Sequence, residues 1–366
     1  MSPWALPALP SAAYQLLAII AALHWKTGAP SSSGPWPPIS LLKPMYGRDE
    51  GLYRALRSHA AQNYPEFEIL FGVRSAGDPA LEDIERLQCE FPAVPMRTIV
   101  VKTEAPNAKV GVLARLAAEA SHSLLVVNDD DMEVPPGYFQ AVASPFSDSH
   151  VGLVTCLYRA HGASLPARLE ALGVATDFAP SVMVARLLGV TEFALGATLA
   201  LRAEILSRIG GFEPIAAYLA DDYELGRRVV AAGHRVVFAP VIVDTGLAGG
   251  SWRDVWRHQL RWARTIRVSR TPGYYGSFIT HTTFWALVAF AASQWWIGIA
   301  ALALRFVSAA IAGAAVLKDA QVKRWFYLLP LRDLLGFAIW AGGCFGSTVY
   351  WRGLKLRLAS GGRIRP

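Results

Sequence analysis

The run Leu124-Leu125-Val126-Val127-Asn128-Asp129-Asp130-Asp131-Met132 constrains this chain more than any other stretch. Four apolar residues pass directly into three carboxylates. An apolar run of this length suits a strand buried on both faces of a parallel sheet. In such sheets the polar side chains that bind ligands lie beyond the carboxyl ends of the strands. Three adjacent acids repel one another unless a cation sits among them. Oxygen donors alone favour a hard divalent ion such as Mg²⁺ or Mn²⁺, which also grips phosphate oxygens. The stretch therefore reads as a metal and diphosphate site, with a solvated acidic turn as the plainer alternative.

The flanking sequence supplies the rest of an α/β domain. Strands are expected at Ile39–Pro44, Phe67–Val73, Met96–Val101, Val151–Tyr158, Gly196–Leu201 and Arg235–Val243. Helical patterns fall between them at 51–63, 81–91, 108–120 and 203–209, and a helix opening at Leu219-Ala220-Asp221-Asp222-Tyr223 continues to Ala232. Strands alternating with helices imply a doubly wound, mostly parallel sheet. Acids in a first helical turn also suit the helix dipole, so Asp221 and Asp222 alone could be capping residues. Leu165 to Val190 is amphipathic without a clear period.

Composition places this domain beside a membrane. Hydrophobic residues make up 53% of the 366 residues and charged ones 17%, and there are 12 Trp. That is oily for a soluble chain, and Trp gathers at membrane interfaces. Residues 1–26 read as an amino-terminal span, and 27–38, rich in Ser, Gly and Pro, as a linker ahead of a catalytic domain at 39–250. A cleaved signal peptide is less consistent with an amino end lacking Lys and Arg. Residues 251–275 alternate Trp and Arg at helical spacing, which suits a helix lying at a membrane face. Residues 276–352 hold further apolar segments, Phe284–Leu304, Phe306–Leu317 and Leu334–Trp351, and 353–366 is a basic tail. The net charge of +7 could serve nucleic acid. The basic clusters adjoin apolar segments, so a membrane surface is the expected partner and nucleic acid is not. The positive-inside rule places the tail in the cytoplasm, although three carboxy-terminal spans would place it outside. Three scattered Cys form neither a metal set nor a disulfide framework.

The order of motifs resembles one family. Leu41-Leu42-Lys43-Pro44 with Gly47, Asn63-Tyr64-Pro65, Gly77-Asp78-Pro79-Ala80, Asn107-Ala108-Lys109-Val110, Asn128-Asp129-Asp130-Asp131, Ala220-Asp221-Asp222-Tyr223 and Arg261-Trp262 occur in sequence. The chain resembles the processive-type, inverting, membrane-bound GT-A glycosyltransferases. It looks most like their ceramide glucosyltransferase branch, which includes bacterial relatives associated with hopanoid lipids. One departure concerns the Gln/Arg-x-x-Arg-Trp signature, whose first position is His258, with Gln259 one residue later.

The resemblance implies a GT-A fold, a Rossmann-like doubly wound mixed sheet with amino- and carboxy-terminal transmembrane helices. It implies an integral protein of the inner membrane, its catalytic domain facing the cytoplasm. Glucose or GlcNAc would pass from a UDP-sugar to the hydroxyl of a ceramide-like or hopanoid lipid. Asp78 would hold the uridine end of the donor. Asp129 and Asp131 would hold Mg²⁺ or Mn²⁺, Lys109 and Arg261 would touch phosphate, and Trp262 would wall the site. Asp222 would be the general base. A polyprenyl-phosphate glycosyltransferase, a polysaccharide synthase and a nucleotide-sugar sensor without turnover are the competing readings.

Overall fold

A computed structural model describes residues 3–28, 36–247 and 250–365. Most of the expected linker, residues 29–35, lies outside the described residues. The chain forms two compact units. One comprises Lys26–Tyr158 and Thr191–Gly246, and the other Met1–Trp25, Arg159–Val190 and Leu247–Pro366.

The first unit is built on an eight-stranded mixed sheet in the order β3-β2-β1-β4-β7-β6-β8-β5. Its strands are β1 (Ile39–Pro44), β2 (Phe67–Val73), β3 (Met96–Val100), β4 (Leu124–Val127), β5 (Met132–Glu133), β6 (Val151–His161), β7 (Leu199–Arg202) and β8 (Arg235–Gly246). Strands β3, β2, β1 and β4 run parallel, with Leu42 opposite Val127 and Leu70. β1, β2 and β4 are buried along their whole lengths, which explains their mostly apolar sequence. β7 then pairs antiparallel with β4 and β6 antiparallel with β7, which makes the sheet mixed. Leu42, Leu70, Val127, Leu199 and Leu201 from the sheet pack with Val110, Leu113 and Leu116 of the helix Ala108–Glu119, and with Leu225 and Val229 of the helix Asp221–Ala231. The core thus fixes the start of both helices at the carboxyl end of β4.

The second unit is mostly helical. Its amino-terminal apolar segment forms the helix Ala8–His24, 17 residues long, about 25 Å at the usual rise and somewhat short of the ~30 Å hydrocarbon core. The stretch Phe284–Leu304 is not one helix. It breaks at Ser293, whose φ is +59°, between the helices Thr282–Ala291 and Trp295–Ala309. The second of these continues through a π-helical turn to Val316, so the spanning-length segment shifts to Trp295–Val316, of mean hydropathy 2.0. Among the described residues it is the one helix long and apolar enough to cross a membrane. The stretch Leu334–Trp351 also divides. It enters the helix Leu329–Gly343 and then β9 (Thr348–Trp351). With β10 (Leu354–Leu358) and β11 (Ile364–Arg365), β9 makes a small antiparallel sheet that takes in most of the basic tail.

Candidate active site

The site is assembled at the carboxyl end of β4. Asn128, fully buried, anchors it. Its amide donates to the Ala197 carbonyl at 2.6 Å and to Thr198 Oγ1 at 3.1 Å, and its carbonyl accepts from the Tyr138 hydroxyl. The next three residues therefore leave the strand in a fixed direction, beside the segment that leads into β7.

Each aspartate has a separate hold. Asp129 Oδ1 pairs with Lys109 Nζ at 2.7 Å. Asp130 accepts from the Tyr46 backbone N–H, and Asp131 from Thr245 Oγ1 at 2.6 Å across the β5–β8 pair. Burial, joined by the charges of Asp129 and Asp130, pushes the Asp131 carboxyl up to about 7, against the pull of the Thr245 hydrogen bond and Lys43.

Lys43 is the residue that sequence reasoning missed as part of the site. It is fully buried at the end of β1 and donates to the Asp129 carbonyl at 2.6 Å. Burial lowers its ammonium to about 8, opposed by the three aspartates. A lysine inside a mostly apolar buried strand, the strand beside β4, was the available signal.

The Asn107-Ala108-Lys109 motif has a mechanical meaning. Asn107 caps the helix Ala108–Glu119 by accepting from Val110 N–H, and its amide donates to the Tyr218 carbonyl at 2.8 Å. The helix start is thereby tied to the loop that precedes Asp221. Lys109, in the first turn, reaches Asp129 and also Asp221 at 3.3 Å. Burial opposes its charge, but Asp129, Asp221 and Asp222 more than compensate, and its ammonium is held above the ordinary lysine value.

Asp222 opens the helix Asp221–Ala231. It accepts from the N–H of Gly196 at 2.8 Å and from its neighbour Tyr223 at 2.7 Å. Burial, then the charge of Asp221, raises its carboxyl to about 6, with Lys109 and the two N–H groups acting the other way. Gly196 decides the geometry. A Cβ placed there would stand 3.4 Å from Asp222 Oδ2 and 3.5 Å from Asp129 Oδ2, so both carboxylates open onto the same small gap. Gly226, five residues along the helix from Asp221, lies against the Phe193–Ala194 backbone, where a Cβ would approach within 2.9 Å. This close packing seats the helix that carries Asp222.

Asp78 accepts from the Ala80 N–H at 3.0 Å and from Gly47 N–H at 3.2 Å, tying the start of the helix Ala80–Glu90 to the loop after β1. The first unit thus brings Asp129, Asp131, Lys109 and Asp222 together and fixes Asp78 on that loop. Arg261 and Trp262 belong to the helix Trp252–Ser269 of the other unit. There Trp262 packs against His258 and Phe178, and His258 and Gln259 both engage the buried Glu170. The displaced signature position and its neighbour therefore share one acceptor.

Among the described residues no three His, Cys, Asp or Glu side chains gather at metal-ligand spacing. The donor set still fits a hard cation. Mg²⁺ is commonly held by one or two carboxylates with substrate phosphates and water completing its shell. Asp129 and Asp131 supply two, and the mutual repulsion written into Asp131 is what such an ion would relieve.

A family model for glycosyl transferase family 21 matches residues 4–364. The chain belongs to glycosyl transferase family 21. This family 21 chain is 26% identical over 200 residues to ceramide glucosyltransferase 1 of Caenorhabditis elegans, covering 54% of the chain and 43% of that protein. It is 25% identical over 216 residues to ceramide glucosyltransferase 3 of the same organism, covering 58% and 46%. The chain thus matches less than half the length of these two relatives. Its fold resembles that of the mannosyltransferase PcManGT from Pyrobaculum calidifontis, at a TM-score of 0.54 and 18% identity, over 93% of this chain and 97% of that one. The likeness is one of fold.

Proposed function

We propose that this family 21 chain transfers a hexose, glucose or GlcNAc, from a UDP-sugar to the hydroxyl of a membrane lipid of ceramide or hopanoid type, with inversion at the anomeric carbon. The observation that carries the reading is the gap in front of Gly196, onto which Asp129 and Asp222 both open. One carboxylate on each side of a space suits a reaction that needs a base for the incoming hydroxyl and an anchor for the outgoing diphosphate.

Asp222 takes the proton from the acceptor hydroxyl as that oxygen attacks the anomeric carbon. With a carboxyl near 6, it is mostly ionised at neutral pH and still basic enough to draw the proton. The Gly196 and Tyr223 N–H groups fix its orientation. Asp129 and Asp131 would hold a Mg²⁺ or Mn²⁺ ion, which neutralises charge on the departing UDP when bound. Lys43 holds the Asp129 backbone in place. Lys109 bridges Asp129 and Asp221 and offers its positive charge to phosphate, as would Arg261. Trp262 would wall the site, and Asp78 would support the uridine end. A single displacement gives a β-linked product from an α-linked donor.

The membrane setting is supported by the second unit. Leu9, Leu16, Ile20 and Leu23 of the helix Ala8–His24 and Trp295, Trp296 and Ile299 of the helix Trp295–Ala309 are exposed, an apolar surface better matched to lipid than to water. We place the protein in the inner membrane with the sheet unit in the cytoplasm, where nucleotide sugars are available to it. The deciding experiment incubates the purified chain with labelled UDP-glucose or UDP-GlcNAc, Mn²⁺ and lipid. Mass spectrometry of the extracted lipid should find a β-glycosylated ceramide or hopanoid. Polymer, polyprenyl-linked sugar, or no product with either donor would each overturn the reading.

A further inference from the structure

The small sheet of the second unit has two unlike faces. Residues opposite one another across paired strands share a face, and neighbours along a strand alternate. Leu356 lies opposite Val349, and Leu358 opposite Ile364. On this apolar face Val349, Leu358 and Ile364 are buried. Lys355 lies opposite Tyr350, and Arg357 opposite both Thr348 and Arg365, so the other face collects three cations. Lys355, Arg357 and Arg365 are all exposed.

This is a built surface rather than a loose tail. Arg264 of the helix Trp252–Ser269 donates to the Phe345 carbonyl at 3.0 Å and to the Thr348 carbonyl at 2.5 Å, and Arg267 donates to the Gly346 carbonyl. At the far end Gly362 lies against the same helix, where a Cβ would come 2.6 Å from Ser269 Oγ. Arg257 reaches from that helix over the Tyr350 ring, 5.1 Å from its centre. The helix arginines are thus engaged with carbonyls and an aromatic ring. The three strand cations are not: among the described residues the side chains of Lys355, Arg357 and Arg365 make no ion pair or hydrogen bond.

Like charges directly opposite one another destabilise a strand pair, and Arg357 faces Arg365. No Asp or Glu occurs from Leu334 to Pro366 to offset them. A basic face alone is commonly just solvated. This one adds a cleft of about 400 Å³, lined in part by Ser347, Thr348, Lys355 and Arg357, where hydroxyl and cationic donors converge. An anion in that cleft would relieve the repulsion and take up the donors. Its surroundings say which kind. Phe345, Tyr350 and Leu354 are exposed around the cations, and the same unit carries the spanning-length helix Trp295–Val316. Phosphate beside acyl chain is the chemistry of a bilayer surface, and mixed cationic and apolar surfaces bind there. A nucleic acid offers the phosphate but nothing for Leu354.

We propose that the face bearing Lys355, Arg357 and Arg365 docks on the anionic phospholipid headgroups of the bilayer surface. This rests on the membrane setting proposed above and not on the sugar transferred. The test places the full chain in nanodiscs containing photoactivatable phosphatidylglycerol or, separately, photoactivatable phosphatidylcholine, and maps the labelled peptides. Residues 346–365 should be labelled at least fivefold more by the anionic lipid. Each cation is worth roughly fivefold at such a surface, so the triple variant Lys355→Gln, Arg357→Gln, Arg365→Gln should lose tenfold or more of that labelling. Lys355→Arg with Arg357→Lys and Arg365→Lys should keep it, because charge is what is read. Arg365→Glu turns the facing pair into opposite charges, so it should fold even if the triple variant does not, and it should lose about tenfold as well. Equal labelling by the two lipids, or labelling unchanged in both the triple variant and Arg365→Glu, overturns the proposal. So does displacement of the label by inorganic phosphate beyond a chloride control of equal ionic strength, or by an oligonucleotide held through the same three residues. Labelling of Trp295–Val316 by both lipids reads the membrane setting independently. A chain labelled there but not at 346–365 keeps its membrane and loses this surface, and a chain labelled nowhere loses both.

Discussion

Lys109 Nζ stands 2.7 Å from Asp129 Oδ1, and the lysine side chain is 8% exposed against 32% for its partner. The ammonium is thus the enclosed half of the pair, and Asp221 at 3.3 Å shares it. Removing one partner of a buried ion pair costs more than the pair itself contributes, because the other charge stays desolvated. Lys109→Met should therefore destabilise the protein by about 2–4 kcal/mol, somewhat below the fully buried case. Urea denaturation of the purified chain measures it, and a loss under 0.5 kcal/mol, the scale of an ordinary surface change, would show that the pair carries no structural weight.

Asp222→Asn keeps the shape of the side chain and removes the proposed proton acceptor. Turnover should fall by roughly 10²–10⁴, the usual contribution of a general base, while UDP affinity stays within about threefold. Transfer rates together with UDP titration separate the two effects. Turnover close to wild type would remove the base assignment.

The raised Asp222 carboxyl sets a pH dependence. The proposed base is active when ionised, so transfer should climb as pH rises through about 6 and level off above it. Asp221 contributes to the rise, so Asp221→Asn should move the midpoint downward. A pH profile of kcat/KM for both proteins checks the sign. Stability runs the other way. The folded state holds this proton more tightly than the unfolded chain, so ionising Asp222 costs stability above the ordinary carboxylate value of 3.8, increasingly up to about 6. Asp222→Asn should melt higher than wild type at pH 7.

At Gly226 the helix Asp221–Ala231 and the Phe193–Ala194 backbone touch. Gly226→Ala would require backbone to move, an overpacking that typically costs about 1–3 kcal/mol. It should also lower turnover, since the shifted helix carries Asp222. Gly196→Ala needs no such movement, since its Cβ would stand 3.4 Å from Asp222 Oδ2 and 3.5 Å from Asp129 Oδ2, but it places carbon in the gap between them, so it should fold normally and lose activity. A thermal melt beside a transfer assay distinguishes a displaced helix from a filled gap.

Chelation should abolish transfer, and Mn²⁺ or Mg²⁺ should restore it. Asp131→Asn should raise the metal concentration needed for half-maximal rate by tenfold or more. A rate indifferent to EDTA would remove the cation from the proposal.

Much of this was legible in the chain. The apolar strands and the acids at their ends follow from burial on both faces, and the parallel β3-β2-β1-β4 half of the sheet follows from strand and helix alternation. The antiparallel insertion of β7 beside β4 was not legible, because strand partnership depends on residues some 70 positions away. Lys43 reads locally as a stray charge in a strand, and only its neighbour β4 reveals what it holds. Gly196 and Gly226 look like ordinary glycines until the backbone or carboxylate opposite each is known. The apolar run around Ser293 has the same composition whether it is straight or bent, so a reversal there left no mark that hydropathy could detect.

Thr155 and Leu195 exchange hydrogen bonds at 3.0 Å in both directions, one from β6 and one from the segment leading into β7. Yet the polypeptide departs after Tyr158 and returns only at Thr191. No single scission can liberate the sheet unit intact. Splicing Tyr158 to Thr191 through a few flexible residues, in a chain trimmed to begin at Lys26 and end at Gly246, should do so, because the Thr155–Leu195 pair already holds the two ends close, and would yield a portable sheet module freed from its greasy companion.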